Sequence, residues 1–252
     1  MNTLVYFSAT DTTKRVVEAI AREWGEESRA YDLTRPCGED LDAALPEGTV
    51  VIGVPVYAGR VPALAAERLK HVHGNGQKAV AVCVYGNRAY DDALVELCDI
   101  AEAQGFRLVA AGAFVAEHCI FPKVAAARPD AADMDKIKQF AALCKQRVQS
   151  GTLLDAHLVK GNRPYLKPAG VPLHPKADRA LCVQCGTCAR ECPVGAISAA
   201  EPYRTDTSKC ITCCRCIHVC PHGARHFGGL LYKIAGWKFT RDNAPRREPE
   251  WF

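Results

Sequence analysis

Residues 182–193, CVQCGTCARECP, and residues 210–221, CITCCRCIHVCP, share one spacing of four cysteines followed by a proline. In each run three cysteines recur at every third position, and a fourth cysteine follows four residues later. This is the spacing of paired 4Fe-4S clusters, in which three thiolates of one run bind one cluster and the fourth binds the cluster of the other run. The sequence therefore predicts two interlocked clusters in this segment.

The interlocked arrangement assigns every cysteine of the shared pattern to a cluster. Cluster one is predicted to bind Cys182, Cys185, Cys188 and Cys220, and cluster two is predicted to bind Cys210, Cys213, Cys216 and Cys192. Over about 50 residues this segment resembles the bacterial-type two-cluster ferredoxins. Cys214 lies outside the shared pattern, so we expect a spare thiol beside cluster two, with a redox or ligand-exchange role as the alternative.

Zinc and disulfide bonds are the two alternative uses of closely spaced cysteines. Zinc ribbons hold one tetrahedral ion with two separated CxxC pairs, which differs from three evenly spaced thiols and a remote fourth, present twice. A disulfide framework is not expected, because the chain begins MNTLVYFSAT without a basic leader segment and is much longer than a small secreted domain. We therefore expect a reducing compartment.

The remaining length and the charge are consistent with a second, larger domain. The chain has 252 residues, which leaves about 150 residues for a conventional core. The net charge is +4, and its basic excess lies in residues 176–252, where it offsets the negative charge of the clusters. No run of lysine and arginine indicates a nucleic-acid site. The longest apolar run, residues 108–116, is too short for a membrane span.

Residues 1–150 alternate between strand-like and helix-like patterns. Strands are predicted at residues 3–7, 28–33, 49–54, 79–85 and 107–115. Helices are predicted at residues 13–24, 62–71, 91–104 and 130–149. Continuous apolar strands such as VVIGV, residues 50–54, imply burial on both faces. The predicted fold class is α/β, a flavodoxin-like five-stranded parallel sheet with helices on both faces, plus a small α+β two-cluster ferredoxin domain.

A hydroxyl-rich loop follows the first predicted strand, where a doubly wound sheet places its ligand. The loop is Ser8-Ala9-Thr10-Asp11-Thr12-Thr13, and its hydroxyl and N–H groups at a helix N-terminus suit a phosphate. It resembles the flavodoxin phosphate loop S/T-x-T-G-x-T, which carries over as Ser8, Thr10 and Thr13. Asp11 stands in place of the glycine. Aspartate tolerates a left-handed backbone, but its carboxylate opposes a phosphate unless it points away.

Two further loops follow predicted strands three and four. The first contains Pro55, Val56, Tyr57, Ala58 and Gly59, with Tyr57 as a stacking face for an isoalloxazine ring and Gly59 for close backbone approach. The second contains Tyr85, Gly86, Asn87 and Tyr90, with Gly86 and Asn87 expected to contact the ring edge. Each loop alone also fits rim packing or an ordinary turn. Three such loops at neighbouring strand ends predict an FMN site.

The order of these motifs resembles a known arrangement. FSATDTTK (7–14), GVPVYAGRVP (53–62), YGNRAYDDAL (85–94) and the CxxCC-containing second cysteine run are similar to landmarks of the flavodoxin/ferredoxin fusion proteins of anaerobic bacteria and archaea. The resemblance implies an FMN domain and two 4Fe-4S clusters in one cytoplasmic polypeptide. It implies no particular substrate.

We expect four segments along the chain. They are an FMN-binding domain (1–150), a proline-rich strap (151–177), a two-cluster domain (178–227) and a C-terminal tail (228–252). Apolar residues in the strap predict that it lies against a domain. The apolar residues of the tail predict a helix that packs on the flavodoxin-like domain or on a second subunit in a possible homodimer: Leu230, Leu231, Ile234 and Trp237. A helix on a membrane surface is the alternative.

The expected function is electron transfer between the clusters and FMN, which links one-electron and two-electron redox partners. The partner is expected to be a redox protein or a small-molecule electron acceptor. The alternative is a flavin-dependent reductase of a small molecule, fed by its own clusters; a third possibility is a binding protein whose clusters stiffen or sense. No GxGxxG sequence follows a predicted strand, so direct oxidation of NAD(P)H is not expected. No catalytic residue is predicted.

Overall fold

Residues 1–150 contain five parallel strands in the order β2-β1-β3-β4-β5, in a computed structural model that describes residues 1–35 and 45–252. The strands are β1 (Asn2–Tyr6), β2 (Ser28–Asp32), β3 (Val50–Pro55), β4 (Lys78–Tyr85) and β5 (Arg107–Val115). The helices are α1 (Thr12–Trp24), α2 (Ala63–Leu69), α3 (Ala93–Ala103) and α4 (Ala131–Ser150). All nine elements lie within two residues of their predicted bounds. The strand order is that of a flavodoxin-like doubly wound sheet, which confirms the predicted fold class.

The two faces of the sheet carry separate apolar cores. On one face α1 and α4 pack on the strands, and the rings of Phe114 and Phe140 meet edge to face at 5.2 Å. The indole N–H of Trp24 on α1 donates a hydrogen bond of 2.9 Å to the Ala141 carbonyl of α4. On the other face the core includes side chains of α2 and α3. Because both faces are covered, the strands β3, β4 and β5 are buried and mostly apolar, whereas the edge strand β2 is partly exposed. A ligand can therefore reach the sheet only at the loops that follow the strands.

A sixth strand comes from the end of the chain. The strand β8 (Glu250–Trp251) pairs antiparallel with β5, with Trp251 opposite Gly112 and Glu250 opposite Ala113. The sequence does not predict β8, because two residues are too few to show an alternating pattern. The C-terminal tail therefore completes the sheet of the N-terminal domain.

The strap lies on the N-terminal domain. It contains a short 3-10 helix, Ala156–Leu158, and is otherwise extended. The Asp92 carboxylate accepts hydrogen bonds from the backbone amides of Asn162 (2.8 Å) and Leu166 (2.7 Å). A buried carboxylate that accepts several N–H groups is a strong anchor, and this one fixes the path of the strap.

The cluster segment is built from two similar halves. Two short helices, α5 (Thr187–Arg190) and α6 (Arg215–His218), start after equivalent loops, and two short strands, β6 (Lys176–Ala177) and β7 (Arg225–His226), pair antiparallel. Equivalent residues share the left-handed backbone: Gln184 (φ 57°) with Thr212 (φ 55°), and Gly186 (φ 72°) with Cys214 (φ 65°). The repeat in the sequence is thus a repeat in the structure.

The tail forms a helix, α7 (Leu230–Asp242), that packs on the N-terminal domain. The Tyr232 hydroxyl donates a hydrogen bond of 2.9 Å to the Ile120 carbonyl, and the ring centroids of Phe239 and Phe121 lie 5.0 Å apart. The predicted packing face is instead 57–73% exposed: Leu230, Leu231, Ile234 and Trp237. The prediction that these four residues pack on the flavodoxin-like domain is therefore wrong. Helical spacing shows that a helix has an apolar face, but it does not show which face contacts the rest of the protein.

None of the helices in the described part of the chain has both the length and the apolar character needed to cross a membrane. The finding agrees with the short apolar runs of the sequence.

A buried ion pair anchors both α4 and the tail. The side chains of Arg128 and Asp133 are only 5% and 1% exposed, and the distance from Nε to Oδ2 is 2.8 Å. Arg128 also donates a hydrogen bond of 2.9 Å to the Arg247 carbonyl of the tail. Buried charges are tolerated only when they are paired, so each partner holds the other in place.

Replacing Asp133→Ala should lower the free energy of unfolding by about 3–5 kcal/mol, because it leaves the Arg128 guanidinium buried without its carboxylate. The matched control is Asp135→Ala on the same helix, where the side chain is 70% exposed and little change is expected. Denaturant titration followed by circular dichroism measures both. Equal losses in the two variants would contradict the role of the buried pair.

Candidate functional site

The four cysteines predicted to bind cluster one line a single cavity. Cys182, Cys185 and Cys188 come from the loop before α5 and from α5 itself. Cys220 reaches the same cavity from the second half of the repeat. The structure therefore brings the remote fourth cysteine to the other three, as the interlocked assignment requires.

The four cysteines predicted to bind cluster two lie together as well. Burial raises the pKa of the Cys213 thiol to about 12, and the nearby thiols of Cys216, Cys192 and Cys210 also raise it. One thiol raises the pKa of another in this way only when the two sulfur atoms lie close together. Iron binds the thiolate form, so a cluster at this position would replace protons that the buried thiols otherwise retain.

A single-ion site and a 4Fe-4S cluster need different arrangements of ligands. Over residues 1–35 and 45–252, no three Cys, His, Asp or Glu side chains are grouped closely enough to hold one metal ion. A tetrahedral zinc site needs its ligands to meet at one ion. A 4Fe-4S cluster is held by four thiolates around a larger body of iron and sulfide, so its ligands stand further apart.

The two cluster sites differ in exposure. At the cluster-two site Cys213 and Cys216 are 8% and 9% exposed, and Cys213 is part of the apolar core of the N-terminal domain. At the cluster-one site Cys185 is exposed, and the apolar side chains of Leu181 and Val183 nearby are 50% and 61% exposed. We name cluster two the inner site and cluster one the outer site.

Each half of the repeat also directs one backbone N–H group at its fourth cysteine. The Ala196 amide donates to Cys192 Sγ at 3.2 Å, and the Ala224 amide donates to Cys220 Sγ at 3.3 Å. Hydrogen bonds to the ligand sulfur are one of the features that set a cluster's reduction potential.

The loop of residues 8–13 presents unpaired polar groups at the start of α1. Thr13 Oγ1 is buried and has no hydrogen-bond partner in the described part of the chain. The hydroxyl oxygens of Thr10 and Thr12 are 3.4 Å apart, and Ser8 Oγ accepts a hydrogen bond from the Lys14 amide (3.0 Å). Among the described residues, no backbone amide of residues 10–13 donates a hydrogen bond. Such a set of donors at the positive end of a helix fits a phosphate.

Asp11 adopts the backbone that the family's glycine would adopt and turns its carboxylate toward the cluster domain. Its φ is 59°, in the left-handed region. Oδ2 shares a hydrogen bond of 2.8 Å with His218 Nε2, and Oδ1 lies 3.5 Å from Arg215 Nη1. The negative charge is thus paired with groups of the second cysteine run, which reduces the expected conflict with a phosphate.

Arg215 joins the two domains. It is 7% exposed, and its guanidinium contacts Glu191 through Nη2 (2.7 Å) and Nε (3.2 Å). This guanidinium lowers the pKa of the Glu191 carboxyl. Nη1 donates to the Ala9 carbonyl of the phosphate loop at 3.4 Å, across 206 positions of sequence. The sequence analysis did not select Arg215 or Glu191, because spacing within a run gives no information on partners so far away.

Tyr57 lies at the end of β3, next to the loop that carries the cluster-two cysteines. Burial raises the pKa of its hydroxyl well above the usual value, and the thiols of Cys213, Cys119 and Cys214 also raise it. The turn after it contains left-handed residues, Ala58 (φ 50°) and Gly59 (φ 81°). The other residues of this loop, Pro55 and Val56, are partly buried. Tyr57 therefore faces the inner cluster site.

The loop after β4 contacts the C-terminal tail. Asn87 Nδ2 donates hydrogen bonds of 2.9 Å to the carbonyls of Asn243 and Pro245, and Oδ1 accepts one of 3.0 Å from the Arg247 amide. These bonds hold the tail and occupy the amide that was expected to contact a ring edge. Sequence alone does not predict them, because all three partners lie in the irregular end of the chain.

Tyr90 in the same loop also holds the tail. Its hydroxyl donates a hydrogen bond of 3.0 Å to Glu250 of β8, and its ring packs edge-on against Tyr85 at 5.6 Å. Gly86 packs against the His118 ring, where a Cβ atom would lie 2.5 Å from Cδ2. A side chain at this position would clash with the His118 ring, which explains the glycine.

Iron content tests the interlocked ligand assignment. The double variant Cys182→Ser, Cys220→Ser should lose one cluster and retain about four iron atoms of about eight, because both cysteines belong to cluster one. The matched double variant Cys210→Ser, Cys220→Ser should lose both clusters. Iron and sulfide are assayed after anaerobic purification. The reverse pattern would show that each run binds its own cluster.

Replacing Arg215→Gln should loosen the attachment between the domains by about 2 kcal/mol, the usual range for a lost charged hydrogen-bond set. The matched control is Arg190→Gln, an exposed arginine of the other half that donates hydrogen bonds to Cys185 and Thr187 of its own loop. Limited proteolysis of the strap should be faster in Arg215→Gln alone. Equal rates in both variants would mean that Arg215 does not hold the domains together.

Comparison with known proteins finds an iron–sulfur family in the C-terminal part of the chain. Residues 174–221 match the family described as a 4Fe-4S dicluster domain. None of the curated proteins matches the sequence. One solved structure that resembles the chain is rubredoxin oxygen:oxidoreductase from the anaerobe Desulfovibrio gigas, at 15% identity over 59% of this chain and 36% of that chain, with a TM-score of 0.44. Another is a flavodoxin from the domain Archaea, at 14% identity over 59% of this chain and 99% of that chain, with a TM-score of 0.43.

A further similar structure is oxidised Flavodoxin 2 from Bacillus cereus, at 15% identity over 58% of this chain and 99% of that chain, with a TM-score of 0.46. The chain spans little more than a third of the length of the Desulfovibrio gigas enzyme. The order of the strands β1 to β5 is that of a flavodoxin-like sheet. The chain thus joins a flavodoxin-like sheet to a segment that matches the 4Fe-4S dicluster domain family.

Proposed function

We propose that the protein passes electrons between two 4Fe-4S clusters and an FMN bound by the flavodoxin-like domain. The observation that carries the proposal is the set of unpaired donors at the start of α1, with the buried, partnerless hydroxyl of Thr13 among them. A buried polar group without a partner costs free energy, and a bound phosphate would supply the missing acceptor. When bound, FMN exchanges one or two electrons and each cluster exchanges one.

The phosphate loop is proposed to hold the phosphate of FMN. Thr10, Thr12 and Thr13 contribute hydroxyl groups, and the amides of residues 10–13 contribute N–H donors. Ser8 accepts from the Lys14 amide and keeps the start of the helix in place. Asp11 supplies the tight turn and is neutralised by groups of the cluster domain. The positive end of the 13-residue helix α1 adds to the attraction for an anion.

The ring of FMN is proposed to lie between the loops after β3 and β4, with Tyr57 beside it and the backbone of Gly86 at its edge. Tyr57 lies close to Cys213, a ligand of the inner cluster. In this proposal the flavin site and the inner cluster site would lie side by side. A short distance between the flavin and the inner cluster favours direct electron transfer, so no diffusing carrier is needed between them.

The outer cluster site is the proposed point of exchange with an external redox partner protein. Cys185 is exposed there, and Leu181 and Val183 offer apolar contact area next to it. Weak, transient redox complexes use small surfaces of this kind. The free state of every described cysteine is consistent with a reducing compartment such as the cytoplasm.

Replacing Thr13→Val should raise the dissociation constant for FMN about tenfold, because it removes one hydrogen bond to a charged phosphate. Thr3→Val is the matched control, because the Thr3 hydroxyl is also buried without a partner but lies at the other end of β1. Both substitutions conserve shape, so both proteins should fold. Quenching of flavin fluorescence during titration measures the affinity. Equal affinity in the two variants would exclude Thr13 from the phosphate site.

Stopped-flow reduction distinguishes the carrier from a reductase. The clusters are reduced without oxygen, and the protein is then mixed either with oxidised partner fractions or with candidate small acceptors while flavin and cluster absorbance are followed. The carrier predicts rapid reoxidation by a protein fraction and slow, unsaturable reoxidation by small molecules. Saturable turnover of a purified small molecule without a protein partner would instead establish the reductase.

A further inference from the structure

Helix α7 has two apolar faces, and the rest of the chain covers only one of them. Tyr232, Ala235 and Phe239 belong to the covered face, where they pack in one apolar cluster with the loop after β5. The other face carries four large apolar side chains that are 57–73% exposed: Leu230, Leu231, Ile234 and Trp237. We call this the outer face of α7. Large apolar side chains grouped on one exposed face mark an interaction site, whereas single ones scattered over a surface do not.

Basic side chains surround the outer face. In helical register Lys233 and Lys238 fall on either side of the apolar stripe, and Lys123 is exposed on the neighbouring loop. Over residues 1–35 and 45–252 these three lysines take part in no ion pair. Arg241 pairs with Asp242 at 2.8 Å, and Asp242 is the only acidic residue of α7. The outer face therefore suits an occupant that is partly apolar and partly negatively charged.

An open cleft of about 550 Å³ lies between α7 and the loop after β5. Phe121, Tyr232 and Trp237 give it an apolar, aromatic lining. Basic residues line the same cleft: Lys123, Lys233 and Arg241. An acyl chain needs the first kind of lining and a lipid phosphate needs the second, so the cleft matches both parts of an anionic lipid.

A lipid surface fits these features better than a second copy of the chain. Two copies that met symmetrically through the outer face would bring their lysines together, and like charges repel. In a bilayer with anionic headgroups, leucine and tryptophan enter the headgroup region while lysine extends its ammonium group to the phosphates. Side chains that protrude from one helix enter a fluid lipid layer without a groove of matching shape.

We propose that α7 is an interfacial helix that attaches the protein to the surface of a bilayer containing anionic phospholipid. The helix lies parallel to the surface with its outer face in the headgroup region, and the flanking lysines contact lipid phosphates. One short helix gives weak, reversible attachment. The proposal involves neither the phosphate loop nor the cysteines, so it does not depend on the proposed binding of FMN.

Sedimentation with lipid vesicles tests the proposal. The full chain, purified without oxygen, is mixed with vesicles of phosphatidylcholine alone or of phosphatidylcholine and phosphatidylglycerol in equal amounts. The bound fraction is measured after ultracentrifugation. Binding to the anionic vesicles should be at least about tenfold tighter and should weaken as salt is added, because salt screens the attraction between lysine and phosphate.

Two double variants separate the apolar and the charged contributions. Ile234→Ser with Trp237→Ser should weaken binding to anionic vesicles about tenfold, because it removes apolar area that the lipid would bury. Its matched control is Leu153→Ser with Leu158→Ser, two side chains of the strap that are 42% and 63% exposed. Lys233→Gln with Lys238→Gln should also weaken binding about tenfold. Its matched control is Lys138→Gln with Lys209→Gln, two exposed lysines elsewhere on the chain. Both controls should bind as the unchanged protein does.

All substituted side chains are exposed, so the variants should fold, and circular dichroism checks this. Absence of binding by the folded protein, or equal binding to both kinds of vesicle, would overturn the proposal. Loss of binding in the lysine variant but not in the apolar variant would also overturn it, because the attraction would then not involve the outer face. A dimer that forms without lipid and dissociates in the apolar variant would assign the outer face to a second copy instead.

Discussion

The buried guanidinium of Arg215 determines how the two domains meet. It is paired with Glu191 inside the cluster domain and reaches the Ala9 carbonyl and the Asp11 carboxylate of the phosphate loop. A buried cation needs nearly all of its partners, so the loop and the second cysteine run are not free to separate or slide. The position of the inner cluster site beside Tyr57, and hence the proposed route of electrons, follows from this one constraint.

A nearly symmetric repeat has acquired two different environments. The backbone angles of the two halves agree within a few degrees at equivalent residues, and each half directs one amide at its fourth cysteine. Cys213 of the second half is buried in the apolar core of the N-terminal domain, whereas Cys185 of the first half is exposed. Burial and hydrogen bonding set the potential of a cluster. Two clusters with equivalent ligands can therefore differ in potential because of their neighbours alone.

What the sequence could predict depended on the range of the interactions. Strand and helix bounds follow from local periodicity and were predicted closely. The ligand pattern follows from local spacing and stays a prediction. The strand β8, the hydrogen bonds of Asn87 to the tail and the ion pair of Asp11 with the cluster domain depend on partners far along the chain. The exposed face of α7 was misassigned because two apolar stripes compete on one helix, and only the neighbouring surface decides between them.

The strand β8 has a consequence for the order in which the protein matures. β5 leaves its outer edge open until Glu250 and Trp251 pair with Ala113 and Gly112. During synthesis the cluster domain emerges from the ribosome before those two residues, because it lies between β5 and β8 in the chain. An open strand edge is prone to association with other chains. The sheet of the N-terminal domain is therefore completed only after the whole cluster domain has been synthesised, because β8 follows that domain in the chain.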